Sequence, residues 1–233
     1  MVAIVEKTVL IIVTSCDTLR SGRKTGLWFD EFAIPYIHFK EQGYRITVAS
    51  PLGGNAPIDA QSLNESILHQ GHVTPRGYAA DNADVMAALN NTTTLSFVDT
   101  NNTAVLYIPG GNGTMVDLQN NHTLNQILLH RHNTNQLIAT LCHSAICLTS
   151  LMIEDTPLVQ QRKLTCFSDA EEMQTGFNNE YDFLLETRLR ELGAEVTVNS
   201  LWSENVVVDD NLITGQNPQS CERLAKIIIN LTR

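Results

Sequence analysis

The sequence predicts an α/β fold with a mostly parallel sheet and helices on both faces. Two observations predict it. Short β-branched runs alternate with stretches of helical periodicity, the pattern of βαβ units. The strand candidates are also apolar on both faces, as in TVLIIVTS (8–15) and QLIATL (136–141), which suits strands covered from both sides.

Taken in order, Thr8 to Ser15 reads as the first strand and Trp28 to Gln42 as an amphipathic helix with Phe32, Tyr36 and Phe39 inward. Tyr44 to Ser50 is the second strand. Residues 51 to 80 are rich in Gly and Pro and longer than an ordinary connection of about 2–6 residues, so they read as a surface excursion or lid. A helix restarts over Asp81 to Asn90. Ala104 to Pro109 is a strand that breaks into Gly110-Gly111-Asn112-Gly113, and His122 to His132 is a helix. Gln136 to Leu141 runs without a loop into Cys142 and a small-residue helix, HSAICLTSLM. Lys163 to Phe167 and Ala194 to Asn199 read as strands around a helix over Asn179 to Leu192. Val206 to Thr214 reads as a hairpin turning at Asp209-Asp210-Asn211, and Ser220 to Leu231 as the closing helix.

The 233 residues are expected to form one domain, 1–233, with 43% hydrophobic and 17% charged residues. No stretch approaches the roughly 18 apolar residues of a membrane span. The opening MVAIVEKTVLIIVTS has no basic leader and carries Glu6 and Lys7 ahead of its apolar run, which argues for a buried strand over a signal peptide. Five cysteines, none spaced CxxC, argue against a disulfide framework or a zinc site and for a reducing, cytoplasmic setting. A net charge of −10 argues against nucleic acid as a partner.

Sites in open α/β sheets gather at the carboxyl ends of strands. Three segments fall there. Cys142 sits at a strand-to-helix turn, where helix amides aimed at sulfur would favour the thiolate; a buried structural thiol would occupy the same place. His143 follows it and can orient, donate or accept a proton. Gly110, Gly111 and Asn112 can bring backbone amides close to a developing oxyanion, although a tight structural turn would look the same. Glu31 lies on the first inward turn of the first helix, where a carboxylate also suits the helix dipole. Trp28, Phe29 and Trp202 are candidates for a pocket wall or for core.

Six segments, TGLWFDE (25–31), ASPLGG (49–54), PGGNG (109–113), LCHSA (141–145), FSDAEE (167–172) and ITGQNPQS (213–220), together resemble the ThiJ/PfpI superfamily, and within it the heat-shock chaperone and glyoxalase III branch. The resemblance implies a flavodoxin-like three-layer sandwich, usually dimeric, with a nucleophilic Cys142, its neighbour His143, a glutamate on sulfur at Glu31, and an acid orienting the histidine at Glu172, with Glu171 and Asp169 close by. It implies cofactor-independent chemistry on a small-molecule aldehyde or related electrophile, such as conversion of methylglyoxal to lactate through a Cys142 hemithioacetal. Glu31 is expected to share one proton with the sulfur. The alternatives the superfamily implies are a holdase chaperone, an oxidation sensor that forms a Cys142 sulfinate, and an isonitrile hydratase. Two positions depart from the branch: Asn112 stands where a histidine is common, and Ser144 where a glycine is common, which is expected to narrow or repolarise the pocket.

Overall fold

The computed structural model describes residues 7–63, 83–100 and 103–232. Its centre is a seven-stranded sheet. The strands are β1 (Thr8–Ile12), β2 (Arg45–Ser50), β3 (Thr93–Thr94), β4 (Val105–Ile108), β5 (Leu137–Leu141), β10 (Val206–Asp209) and β11 (Leu212–Gly215), in the order β10-β11-β5-β4-β1-β2-β3; β6 (Met152–Ile153) and β7 (Thr156–Pro157) form a separate hairpin. Every pairing is parallel except the β10–β11 hairpin, whose turn residue Asp210 takes a φ of 51°.

The sheet is apolar on both faces because both are covered, and alternate side chains feed two cores. Val9 and Ile11 of β1, with Val105 and Tyr107 of β4, point to one face. There they meet α1 (Phe29–Glu41), α2 (Ala83–Asn90) and the closing helix, Cys221–Leu231. Leu10, Ile12, Leu106 and Ile108 point to the other, against a helix at His122–Asn133, the segment after β5 and a helix at Leu185–Glu191. The expected three-layer α/β sandwich is therefore the observed one.

Several elements differ from the sequence reading. The segment after Cys142 is a 3-10 turn over Cys142–Leu148. The strands around 163 and 195 shrink to β8 (Lys163–Leu164) and β9 (Glu195–Val196), which pair with each other outside the main sheet. The helix expected from Asn179 begins only at Leu185; residues 176–184, opening at Gly176 in the left-handed region, are loop. Conversely, FSDAEE contains an unforeseen helix, Asp169–Thr175, started by a capping box. Ser168 Oγ accepts from the Glu171 N–H, and the Glu171 carboxylate accepts from the Ser168 N–H. Of the expected excursion, 51–63 holds a short 3-10 turn at Ala60–Leu63, and the remainder lies outside the described residues, as do the first two residues of the helix expected from Asp81.

Strand order reverses between β1 and β4, the crevice at which such sheets place their sites. The chain leaving β1 carries Glu31, the chain leaving β4 carries Gly110, and the chain leaving β5 carries Cys142.

Candidate active site

Cys142 is 3% exposed and takes a φ of 61°, a left-handed conformation that side chains other than glycine rarely adopt. The kink is held from both sides. Ser144 Oγ accepts from the Leu141 N–H at 2.9 Å and directs its own hydroxyl at the carbonyls of Ile108 (2.6 Å) and Leu141 (2.9 Å). The Phe167 N–H donates to the Cys142 carbonyl. Ser144 thus ties the elbow to β4. Its hydroxyl is buried among main-chain groups and does not narrow the pocket, which corrects the expectation from sequence.

Cys142 Sγ lies 3.2 Å from His143 Nδ1, and His143 Nε2 lies 2.6 Å from Glu172 Oε2. The other Glu172 oxygen accepts from Thr175 Oγ1 at 3.1 Å. Burial would raise the Glu172 carboxyl, but the charge and hydrogen bond of His143 and the bond from Thr175 outweigh it and hold it below its ordinary value. Glu172 is therefore a carboxylate that orients the imidazole. The two nearby acids are occupied elsewhere. Asp169 faces solvent and accepts from Thr187 Oγ1. Glu171 is fully buried and accepts from Ser168 N and Oγ, Trp202 N, Gln216 Nε2 and Asn217 Nδ2.

Glu31 is also buried, in contact with the Cys142 thiol. Its Oε2 accepts from the Gly110 N–H at 2.7 Å. Oε1 is buried without a hydrogen-bond partner of good geometry among the described residues. Burial pushes the carboxyl up to about 8, although contact with Cys142 and the Gly110 bond pull it down. Burial and then the Glu31 charge push the Cys142 thiol well above its ordinary value, against the pull of the His143 amide. Helix amides alone therefore do not favour the thiolate here, contrary to expectation. Burial raises both partners, so both hold their protons at neutral pH, and a thiolate forms when the sulfur proton passes to His143 while Glu31 keeps its own.

The glycine pair divides its work. Gly110 spends its amide on Glu31, so it is not an oxyanion donor as the sequence suggested. A Cβ there would come within 2.8 Å of Glu31 Oε2 and 2.9 Å of the His143 nitrogen, so the position must be bare. Gly111 takes a φ of 106°, and its α-carbon packs against Gly26 and Trp28. Trp28 meets the site through its main chain, donating to the Gly110 carbonyl at 3.1 Å. Phe29 is core, and Trp202 reaches the site through Phe167, which stacks 4.4 Å from His143. Asn112 is 5% exposed, and its Oδ1 accepts from Tyr181, a residue the sequence reading passed over. Cys147 and Cys166 are buried in the core.

The chain has known relatives in sequence and in structure. A family model described as the DJ-1/PfpI family matches residues 30–231. The glutathione-independent glyoxalase hsp3101 of Schizosaccharomyces pombe is 27% identical over 225 residues, covering 91% of this chain and 89% of its own. Among solved structures, the Rapid Encystment Protein 24 kDa of Francisella tularensis is 30% identical with a TM-score of 0.88, covering 97% of this chain and 99% of its own. Glyoxalase III of Candida albicans is 25% identical with a TM-score of 0.84, covering 97% and 98%.

Proposed function

The chain belongs to the DJ-1/PfpI family, and we propose that it is a glutathione-independent glyoxalase that converts a 2-oxoaldehyde such as methylglyoxal to its 2-hydroxy acid with Cys142 as nucleophile. The observation that carries this reading is the unbroken contact from Cys142 sulfur through His143 to Glu172, with a protonatable Glu31 in contact with the same sulfur. Relatives named as glutathione-independent glyoxalases support the reaction class.

As sulfur attacks the aldehyde carbon, the thiol proton moves to His143 Nδ1, whose Nε2 is steadied by the Glu172 carboxylate, and returns to the new alkoxide to give a neutral hemithioacetal. The proton on that carbon is then removed and one is delivered to the neighbouring carbon, while the hydroxyl hydrogen passes from the first oxygen to the second. The product is the thioester of the 2-hydroxy acid, and water cleaves it to free acid and thiol. The carbon-to-carbon proton is carried by one of the two groups against sulfur, Glu31 or His143. The amides of Gly111 and His143 and the carboxamide of Asn112 stabilise the enediolate. The chemistry draws on no metal or nicotinamide.

The same reading takes the protein to be one catalytic domain acting in the cytoplasm as a homodimer, with no nucleic-acid partner given its charge of −10. Among the described residues no helix is long and apolar enough to cross a membrane.

Lactate formation from methylglyoxal without glutathione, wild type against Cys142→Ala, tests the reaction. Turnover lost in the variant is the expected result. Inactivity of both proteins would overturn the reading and direct substrate trials to other electrophiles, isonitriles first, or to assays of holdase activity.

A further inference from the structure

The loop at 176–184 brings one more group to the site. Tyr181 donates its hydroxyl to Asn112 Oδ1 at 2.5 Å, and its ring centroid lies 6.4 Å from that of His143. Burial, reinforced by the charges of Glu172, Glu180 and Cys142, pushes the phenol far above its ordinary value, so it stays a donor at any working pH. The loop is clamped to residues 20–23 around it. Arg20 forks onto Asp182 (2.7 and 3.2 Å), Ser21 donates to Glu180 (2.7 Å), and the Arg23 guanidinium sits 3.5 Å over the Phe177 ring. Each exposed ion pair is worth little alone, but contacts on both sides of Tyr181 hold it in one place.

A carboxamide has an accepting end and a donating end. With Oδ1 held by a permanent donor, Asn112 cannot turn over without leaving the phenol proton in search of a new acceptor. Asn112 Nδ2 has no acceptor among the described residues, yet it is not sealed among the buried unpartnered atoms. It is a donor fixed in direction and left free to bind, one residue from Gly111.

We propose that Tyr181 is a positioning residue that sets substrate choice, holding Asn112 so that Nδ2 donates to a carbonyl oxygen on the carbon next to the one attacked by Cys142. The site therefore selects 1,2-dicarbonyl compounds over simple aldehydes. The choice of dicarbonyl rests on the glyoxalase reading; the Tyr181–Asn112 coupling does not.

Two measurements on Tyr181→Phe, Asn112→Ala and the double variant test this, with thermal melts checking the fold. In turnover of methylglyoxal, Tyr181→Phe is expected to lower kcat/KM about tenfold, mainly through kcat, as the loss of a transition-state hydrogen bond does. Adding Tyr181→Phe to Asn112→Ala is expected to change nothing further. In alkylation of Cys142, Tyr181→Phe is expected to slow chloroacetone, whose ketone adjoins the attacked carbon, severalfold, and to leave methyl methanethiosulfonate, which has no carbonyl, unchanged. Equal losses with and without Asn112, or equal effects on both reagents, would overturn the proposal. A wild type that is inactive on methylglyoxal but keeps the alkylation contrast would sink the glyoxalase reading and leave the Tyr181 role standing.

Discussion

The Tyr107 hydroxyl donates to the main-chain carbonyl of Glu31 at 2.5 Å, and that carbonyl is the one left open by Pro35 four residues along α1. In an uninterrupted helix the residue at 35 would supply an N–H to Glu31; proline has none. Tyr107 of β4 takes its place and pins the turn that carries Glu31 to the sheet two residues before Pro109. Replacing Tyr107 by Phe strands a buried carbonyl, so a loss of about 1–3 kcal/mol in urea denaturation is expected. The double variant Tyr107→Phe, Pro35→Ala restores an N–H within the helix and should recover part of that loss. Strict additivity of the two changes would disprove the substitution of one donor for the other.

Glu31 makes the fold sensitive to pH. Its carboxyl titrates at about 8 in the folded protein against an ordinary value of 4.5. The folded state thus binds the proton more tightly, and the stability this confers is complete below about 4.5 and is lost as pH rises through 8. Glu31→Gln keeps the shape without the titration. The difference in melting temperature, variant minus wild type, should grow from pH 5 to pH 8 and level off above it. A difference that stays flat across that range would show that Glu31 is ionised throughout. Full turnover by this variant would remove Glu31 as the proton carrier.

The three acids of FSDAEE should separate cleanly. Glu172→Gln is expected to lower kcat for lactate formation about 100-fold, because His143 loses its carboxylate partner at Nε2. Asp169→Asn should leave kcat unchanged, since among the described residues the Asp169 carboxylate accepts from Thr187 and not from His143. Wild-type activity in Glu172→Gln would end its orienting role.

Glu171 is a structural acid. Its carboxylate collects donors from Ser168, Trp202, Gln216 and Asn217, joining the Asp169–Thr175 helix to the chain on either side of the β10–β11 hairpin. Glu171→Ala leaves several buried donors unpaired and should cost at least about 3 kcal/mol. Chemical denaturation reads the loss; a cost near zero would mean that the loops repack around the gap.

Ser144→Ala should destabilise the elbow by about 1–3 kcal/mol while leaving KM for methylglyoxal within about twofold, because the hydroxyl binds main-chain groups of β4 and β5. A large change in KM with unchanged stability would return Ser144 to the pocket.

The sequence by itself determined the class of fold and the places where chemistry gathers. Apolar runs such as TVLIIVTS and QLIATL can be buried only in a sheet covered on both faces, and a strand that ends at Cys142 with no loop places its thiol at the sheet's carboxyl edge. It did not reveal the weakness of β8 and β9, whose pairing is with each other, or the loop at 176–184 that delivers Tyr181. The family resemblance pointed to Glu172, but the local pattern of residues could not separate it from Asp169 and Glu171. Neighbouring residues on a helix point about 100° apart, so the choice depends on helix phase, and that phase is set by the Ser168 capping box and by what packs around it. In the tertiary structure it is Glu172 that faces His143. Side-chain direction, burial and the reuse of a free carbonyl or amide depend on partners about 30 to 80 residues away along the chain, as Glu31 with Gly110, Tyr107 with Glu31 and His143 with Glu172 all show.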